Sequence, residues 1–322
     1  MKQRAWCTVG GFLLALVILY GCTQDHVGVP LQEPAVGTAG TMQKSGAKGD
    51  PVILARLKEI NQQLAARGLN IAAESIEFFT IGRGRPGARI HQTGIRWVPN
   101  DPRRLAEGNH ITYLVDQSDG VTASGLTAAE TSGAIEDAID TWAASQPFQK
   151  VTIVRRADSG ADPDIFDAFF GFGGFGDPFL ADIVNAGWLP RAFFEAVGGP
   201  GGGGGILAFS VSFIFVFPGT QIPTDINGDN YLDEALNEVY YNNTFGDPGD
   251  DRAGNPWGIN IALPGIDVET VALHENGHSL DLGHFGPPPV AVMNPVYGGI
   301  RHSPYPADIA GMNAVWSSWP NP

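Results

Sequence analysis

Apolar positions are gathered into a few patterned stretches set between polar, glycine- and proline-rich ones. Val9–Tyr20 is an apolar run too short for the roughly 20 residues a bilayer-spanning helix needs. Residues 23–50 show no period and few large apolar side chains, so they predict a flexible tether. Val52, Ile53, Leu57, Ile60 and Leu64 recur at spacings near 3 and 4, the pattern of an amphipathic helix, and Ile71–Phe79 adds a short strand or helix. The breaker cluster Gly82–Gly87 then marks a boundary. Beyond it, Ile111–Asp116 reads as a strand. Leu126-Thr127 caps a helix that carries Ala134, Ile135, Ala138, Ile139 and Trp142 on one face, and Lys150–Arg155 is a second strand. Ile206–Pro218 is an apolar, aromatic core or edge strand, and Asp267 is placed to cap a helix starting at Val268. There is no internal repeat, which leaves solenoids and propellers unsupported.

The 322 residues allow about two domains or one large one with extensions. With 43 Gly and 24 Pro the chain is loop-rich, yet 43% hydrophobic residues and 18 Phe supply a core. The formal charge is −15, and the first 21 residues hold Lys2 and Arg4 and no acid, so the remainder is more acidic still. A phosphate backbone would be repelled, which makes nucleic acid an unsuitable partner. Both cysteines, Cys7 and Cys22, precede the body, so no disulfide or thiolate metal site forms there. Basic Lys2 and Arg4 before the apolar run give an export signal over 1–21. Leu19-Tyr20-Gly21-Cys22 resembles the lipobox of bacterial lipoproteins, which implies a lipid anchor on Cys22; an ordinary secretory signal is the alternative. Gly198–Gly205 lacks the Lys-Ser/Thr ending and the partner helix of a phosphate cradle.

One segment carries the chemistry: His274-Glu275-Asn276-Gly277-His278, followed by Asp281 and His284. On a helix, His274 and His278 lie four apart on one face, where two neutral imidazoles can meet one zinc ion. Glu275 stands beside that ion as general base and acid for a water molecule. His284 is six residues further on and reaches the same point only if the helix stops and the chain turns back, with Asp281 in a left-handed conformation. Three protein ligands leave one position open, the arrangement of catalytic rather than structural zinc.

This constellation, with Ala291-Val292-Met293-Asn294-Pro295-Val296-Tyr297 after it, resembles the metzincin zinc peptidases and most closely the matrixin (matrix metalloproteinase-like) family. Trp97, Ile111-Thr112-Tyr113, the Leu126–Trp142 helix, Gly199-Pro200-Gly201-Gly202, Leu207-Ala208, Tyr241-Asn242 and Asp308–Met312 look like further landmarks in the same order, so the likeness covers about 97–319. It implies an α+β catalytic domain over 96–322, with a twisted mixed five-stranded sheet, an active-site helix and a second long helix. Residues 51–95 would form a small N-terminal helical element or pro-region, joined to the signal by the tether of 22–50. It implies Met293 as the Met-turn residue beneath the zinc. Pro295 and Tyr297 would form the outer wall of a pocket, and the strand at Leu207-Ala208 an edge on which an extended peptide lies antiparallel. Asp281 departs from the family's glycine, and Phe209 stands where a structural zinc would take a histidine, so one zinc is expected. With no cysteine after Cys22, residues 51–95 cannot act through the family's cysteine switch; inhibition, chaperoning and simple extension stay open.

Asp225, Asn227, Asp229 and Asp233 are spaced like the start of a calcium loop, but Asn230 and Leu236 stand where its turn glycine and bidentate Glu belong, so a calcium site and a solvated acidic turn are equal readings. The expected function is a zinc-dependent endopeptidase acting on extracellular or envelope proteins, exported and anchored to the envelope or secreted. Two alternatives are a zinc-binding, non-catalytic surface lipoprotein that holds a partner peptide, and an adhesin that makes contact through the Gly- and Phe-rich 166–209 segment.

Overall fold

Alternate residues of the central strands enter two different cores, so these strands are buried on both faces. Ile111, Tyr113 and Val115 face one core while Leu114 faces the other; Val239 and Tyr241 divide in the same way from Leu236 and Tyr240. Strands buried on both faces lose the polar alternation of a half-solvated sheet. The computed structural model describes residues 51–81, 94–104, 108–146, 150–174 and 179–320. The export signal, Cys22, the tether and the 82–87 cluster lie outside these residues. The described residues belong to one compact unit, Gln43–Pro322.

In chain order the elements are α1 (Pro51–Ala66), β1 (Ile71–Thr80), β2 (Ile95–Arg96), β3 (His110–Val115), α2 (Ala128–Ser145), β4 (Thr152–Arg155), α3 (Phe166–Phe170), β5 (Ile183–Leu189), α4 (Arg191–Gly198), α5 (Gly202–Gly205), β6 (Ile206–Phe215), β7 (Leu232–Asn242), β8 (Trp257–Gly258), β9 (Ile266–Asp267), α6 (Val268–His278) and α7 (Pro306–Trp316). The main sheet has seven strands in the order β1-β6-β7-β5-β3-β4, with β2 alongside β7. It is mixed: β3, β4, β5 and β7 run parallel, while β6 is antiparallel to both β7 and β1.

This corrects the five-stranded sheet expected from the sequence. The extra strands are β1 and β2, and β1 changes the topology most. It pairs with β6 from Ile71 opposite Phe215 to Thr80 opposite Ile206, so β6 is an interior strand rather than an edge. The N-terminal element is also not helical alone. Leu57, Ile60 and Leu64 of α1 and Ile71 and Ala73 of β1 are buried in the same core as Phe193, Phe194, Phe209 and Tyr240. Residues 51–81 therefore pack as part of the body.

That second core accounts for the described phenylalanines of 166–209. Phe193 stacks on Phe209 at 5.7 Å between centroids, and Phe209 on Tyr240 at 5.1 Å, within the range of favourable aromatic pairs. Phe166, Phe193, Phe194 and Phe209 are wholly buried, so they offer no surface to a partner. The first core lies on the other face, between the sheet, α2 and α6. Thr127 caps α2 in a capping box with Glu130, as its sequence predicts.

Candidate functional site

The helix α6 begins where the sequence places it. The Asp267 carboxylate accepts the Thr270 N–H at 2.9 Å and closes the first turn. His302 adds a contact not expected from sequence: its Nε2 lies 2.6 Å from Asp267 Oδ2, and its Nδ1 lies 3.3 Å from Glu269, which fastens the C-terminal segment to the helix start. Ten of the eleven α6 residues are buried, so this helix has no polar face and hydrophobic periodicity cannot reveal it. Its far end is held by indoles. Trp142 Nε1 donates to Leu273 O at 2.7 Å, Trp97 Nε1 to Ser279 O at 3.0 Å and Trp316 Nε1 to Leu280 O at 2.9 Å. Ser279 O and Leu280 O, past the helix end, would otherwise be orphaned in a dry interior. Asp281 then turns the chain back at φ +66°, the left-handed conformation that the His278-to-His284 spacing requires. Its carboxyl is buried beside Glu234. Burial pushes both upward, Asp281 to about 7, so the two acids together favour holding a proton.

The three histidines meet. His274, His278 and His284 place their Nε2 atoms 3.2 Å from one another in all three pairings. Each Nδ1 points outward to an acceptor: His274 to Val292 O at 2.8 Å, His278 to Leu282 O at 2.6 Å, and His284 to Glu77 Oε2 at 3.2 Å. A proton held on each Nδ1 leaves every Nε2 with its lone pair aimed at a common centre. Tetrahedral ligands at about 2.0–2.1 Å from one ion stand about 3.3 Å apart, so the spacing is that of a ready three-imidazole site. Burial, and then the charge of each ring on its neighbours, pushes His274 well below the ordinary histidine range and His278 to about 3. Neutral imidazole, the ligand form, is thus favoured for His274 and His278.

Glu275 is fully buried, and neither carboxylate oxygen has a hydrogen-bond partner. Burial, with Glu77 adding to it, pushes this carboxyl well above the usual range. A buried acid without a partner is costly in a folded protein and marks a place where something else belongs. Met293 lies directly under the helix: a Cβ built on Gly277 would be 2.4 Å from Met293 Sδ and 3.0 Å from Trp142 Cζ2. Only glycine lets that turn approach so closely. Gly277→Ala is expected to cost about 1–3 kcal/mol through overpacking and to lower the thermal midpoint by several degrees. An unchanged midpoint would mean that Met293 moves aside freely.

The segment 295–297 is engaged by the end of β1. Tyr297 N donates to Thr80 O at 2.8 Å, and Thr80 N donates to Pro295 O at 3.3 Å, so the end of β1 runs parallel to 295–297 while pairing antiparallel with β6. Phe79 stacks on His274, centroids 3.9 Å apart and planes 9° apart, with the Tyr297 ring edge-on at 6.0 Å. Glu77 touches His284 from the same face. Phe78 points to the opposite face, against Phe209 at 5.7 Å. Leu207 and Ala208 are fully buried, Ala208 opposite Phe79, and present no open edge. Glu77 and Phe79 are the site residues that sequence reasoning missed.

The 225–233 segment is organised by its own contacts. Asp229 meets Arg96 at 3.2 Å and Asp233 meets Arg103 at 2.7 Å. Asp225 accepts the N–H groups of Gly228, Asp229 and Asn230, and Asn227 donates to Asp229. Among the described residues, the acidic and histidine groups close enough to share a cation are the three histidines and two sets of aspartates elsewhere. No helix among the described residues is long and apolar enough to cross a membrane. No known family model matches the chain, and no curated protein matches its sequence.

Proposed function

We propose that the chain is a zinc-dependent endopeptidase of the metzincin type, matrixin-like in its groove, whose own strand β1 fills the peptide-binding cleft in the form described. The observation that carries the reading is the convergence of three lone pairs at 3.2 Å beside a buried, unpartnered Glu275. His274, His278 and His284 would hold the ion, their outer nitrogens fixed by Val292 O, Leu282 O and Glu77. Zinc bound there supplies Lewis acidity, lowering the pKa of a water toward roughly 7 and polarising a carbonyl. Glu275 takes the proton of the attacking water on a carboxylate oxygen and delivers it to the leaving amine.

The path of β1 supports the second half of the reading. It lies as a bound peptide would, antiparallel to β6 and parallel to 295–297, with Glu77 and Phe79 straddling the histidine cluster. A substrate in its place would use the same main-chain hydrogen bonds and set a large apolar side chain against His274, as Phe79 does. The 51–81 element is then a substrate-like inhibitor that needs no cysteine. The exported, lipid-anchored location stays part of the proposal and rests on the first 22 residues alone.

The test pairs metal with activity. Elemental analysis of the full chain is expected to give one zinc per chain, and a variant with β1 displaced is expected to cleave an unfolded protein until a chelator is added. No zinc would overturn the reading. Zinc with no cleavage in the displaced variant would favour a module that binds peptide without cutting it.

A further inference from the structure

A second cluster of carboxylates lies away from the histidines. Asp116 and Asp119 follow β3, while Asp162, Asp164 and Asp167 come from the loop between β4 and α3 and from α3 itself. Ligand oxygens of Asp116, Asp162 and Asp164 all lie within 4.8 Å of one another, and so do those of Asp119, Asp162 and Asp167. Asp162 belongs to both sets, so the two triads adjoin. These are not solvated acids: Asp116, Asp164 and Asp167 are wholly buried.

Six of their oxygens have no hydrogen-bond partner: both of Asp164, both of Asp167, Oδ2 of Asp116 and Oδ1 of Asp162. The remaining contacts hold the acids in place, with Ser118 N donating to Asp116 and Gly174 N to Asp162. Gly174 closes over the centre at φ +71°, and a Cβ there would stand 2.1 Å from Asp167 Oδ1. The largest charges acting on the acids are other carboxylates: Asp158, Glu238 and one another. A buried concentration of negative charge with unpartnered oxygens demands protons or a cation.

We propose that the adjoining triads Asp116-Asp162-Asp164 and Asp119-Asp162-Asp167 form a calcium-binding centre. The donor set is all oxygen and all anionic, which selects a hard cation over zinc or copper. Calcium takes six to eight oxygen ligands in flexible geometry, whereas magnesium demands a near-ideal octahedron and keeps several of its waters, so a crowd of protein carboxylates suits calcium. The site ties the loop after β3 to the segment leading into α3. Asp119 O also accepts Trp188 N at 2.8 Å, so the ion would brace the C-terminal end of β5 and the Phe166 end of the second core.

Without calcium Asp116, Asp119, Asp164 and Asp167 are pushed toward their protonated forms by burial. Burial pushes Asp119 to about 6, Asp167 to about 8 and their neighbour Glu238, which accepts from Ile165 N, Phe166 N and Tyr240 Oη, to about 7. Raised acids lend stability that is complete below their unfolded values near pH 4 and is lost as pH climbs through about 6 to 8. Calcium would remove that loss by taking the place of the protons.

The test uses the full chain, freed of divalent ions on a chelating resin and returned to one equivalent of zinc. Calcium chloride is then titrated at pH 7.5, with bound calcium and the thermal midpoint both followed. Millimolar calcium is expected to bind and to raise the midpoint on the order of 5 °C, with a smaller gain at pH 5. Asp164→Asn, and separately the more exposed Asp162→Asn, should weaken binding at least about tenfold, whereas Asp225→Asn should leave it unchanged. Absence of calcium binding to the native chain would overturn the proposal. So would binding that survives both variants or is lost in Asp225→Asn, which would move the ion to 225–233.

Discussion

Phe79→Asp is expected to raise cleavage of an unfolded protein by the full chain about 10²- to 10³-fold. Phe79 is 1% exposed, stacked on His274 and faced by Tyr297. Truncating a buried phenylalanine costs about 3–5 kcal/mol, and each 1.4 kcal/mol is a factor of ten, so the balance between filled and open cleft should move by two to three decades. A carboxylate in the same place also loses its hydration against the wall formed by the His274 and Tyr297 rings. The rest of the element should stay folded, because α1 and the first half of β1 are anchored in the second core through Leu57, Ile60, Leu64 and Ile71. Phe78→Asp is the control. It points into that core against Phe209, so it should lower the thermal midpoint without the same gain in activity. Equal activity of the native chain and a folded Phe79→Asp variant would mean that β1 does not block the cleft in solution. A rise that vanishes when Glu275→Gln is added would locate the activity in this site and not in a contaminant.

How much of this was legible in the sequence follows from how far apart the partners lie. The helix cap at Asp267, the i,i+4 pair His274 and His278, and the left-handed turn at Asp281 are local, and each has a residue type that announces it. The apolar run of β6 predicts a strand buried in the sheet, but nothing in it tells an edge from an interior strand once both faces are apolar. Its partner β1 lies about 130 residues earlier and is itself half-buried, so the 71–79 segment reads equally as strand or helix. Glu77 and Phe79 acquire meaning only through that pairing. The five aspartates fail for a similar reason. They come from two separated stretches, and each alone looks like a solvated turn residue. The spacing at 225–233 resembles a calcium loop more closely, yet Arg96 and Arg103, more than 120 residues away in sequence, already meet two of its acids. Spacing along the chain reports ligands only when the chain itself brings them together.

Glu275→Gln in the Phe79→Asp background is expected to lower kcat by about 10²- to 10⁴-fold, the range a positioned general base contributes. The substitution keeps the volume and removes the charge. Because both Glu275 oxygens are buried and unpartnered, the neutral amide should leave the thermal midpoint unchanged or raise it slightly. Zinc content should stay at one per chain, since the converging lone pairs belong to the three histidines and not to Glu275. His278→Ala should do the reverse, losing the ion together with the activity, because removing one of three imidazoles leaves too few ligands for tight binding. The contrast separates base from ligand in a way that activity alone cannot. Full proteolysis by Glu275→Gln with zinc retained would take the general-base role away from Glu275. Zinc lost from Glu275→Gln would instead make this carboxylate a ligand, leaving the attacking water to be activated by another group. Peptide binding that persists in both the native and the Gln form, with cleavage in neither even after β1 is displaced, would turn the same groove into a recognition site, since strand pairing with β6 and the wall at 295–297 needs no proton transfer at all.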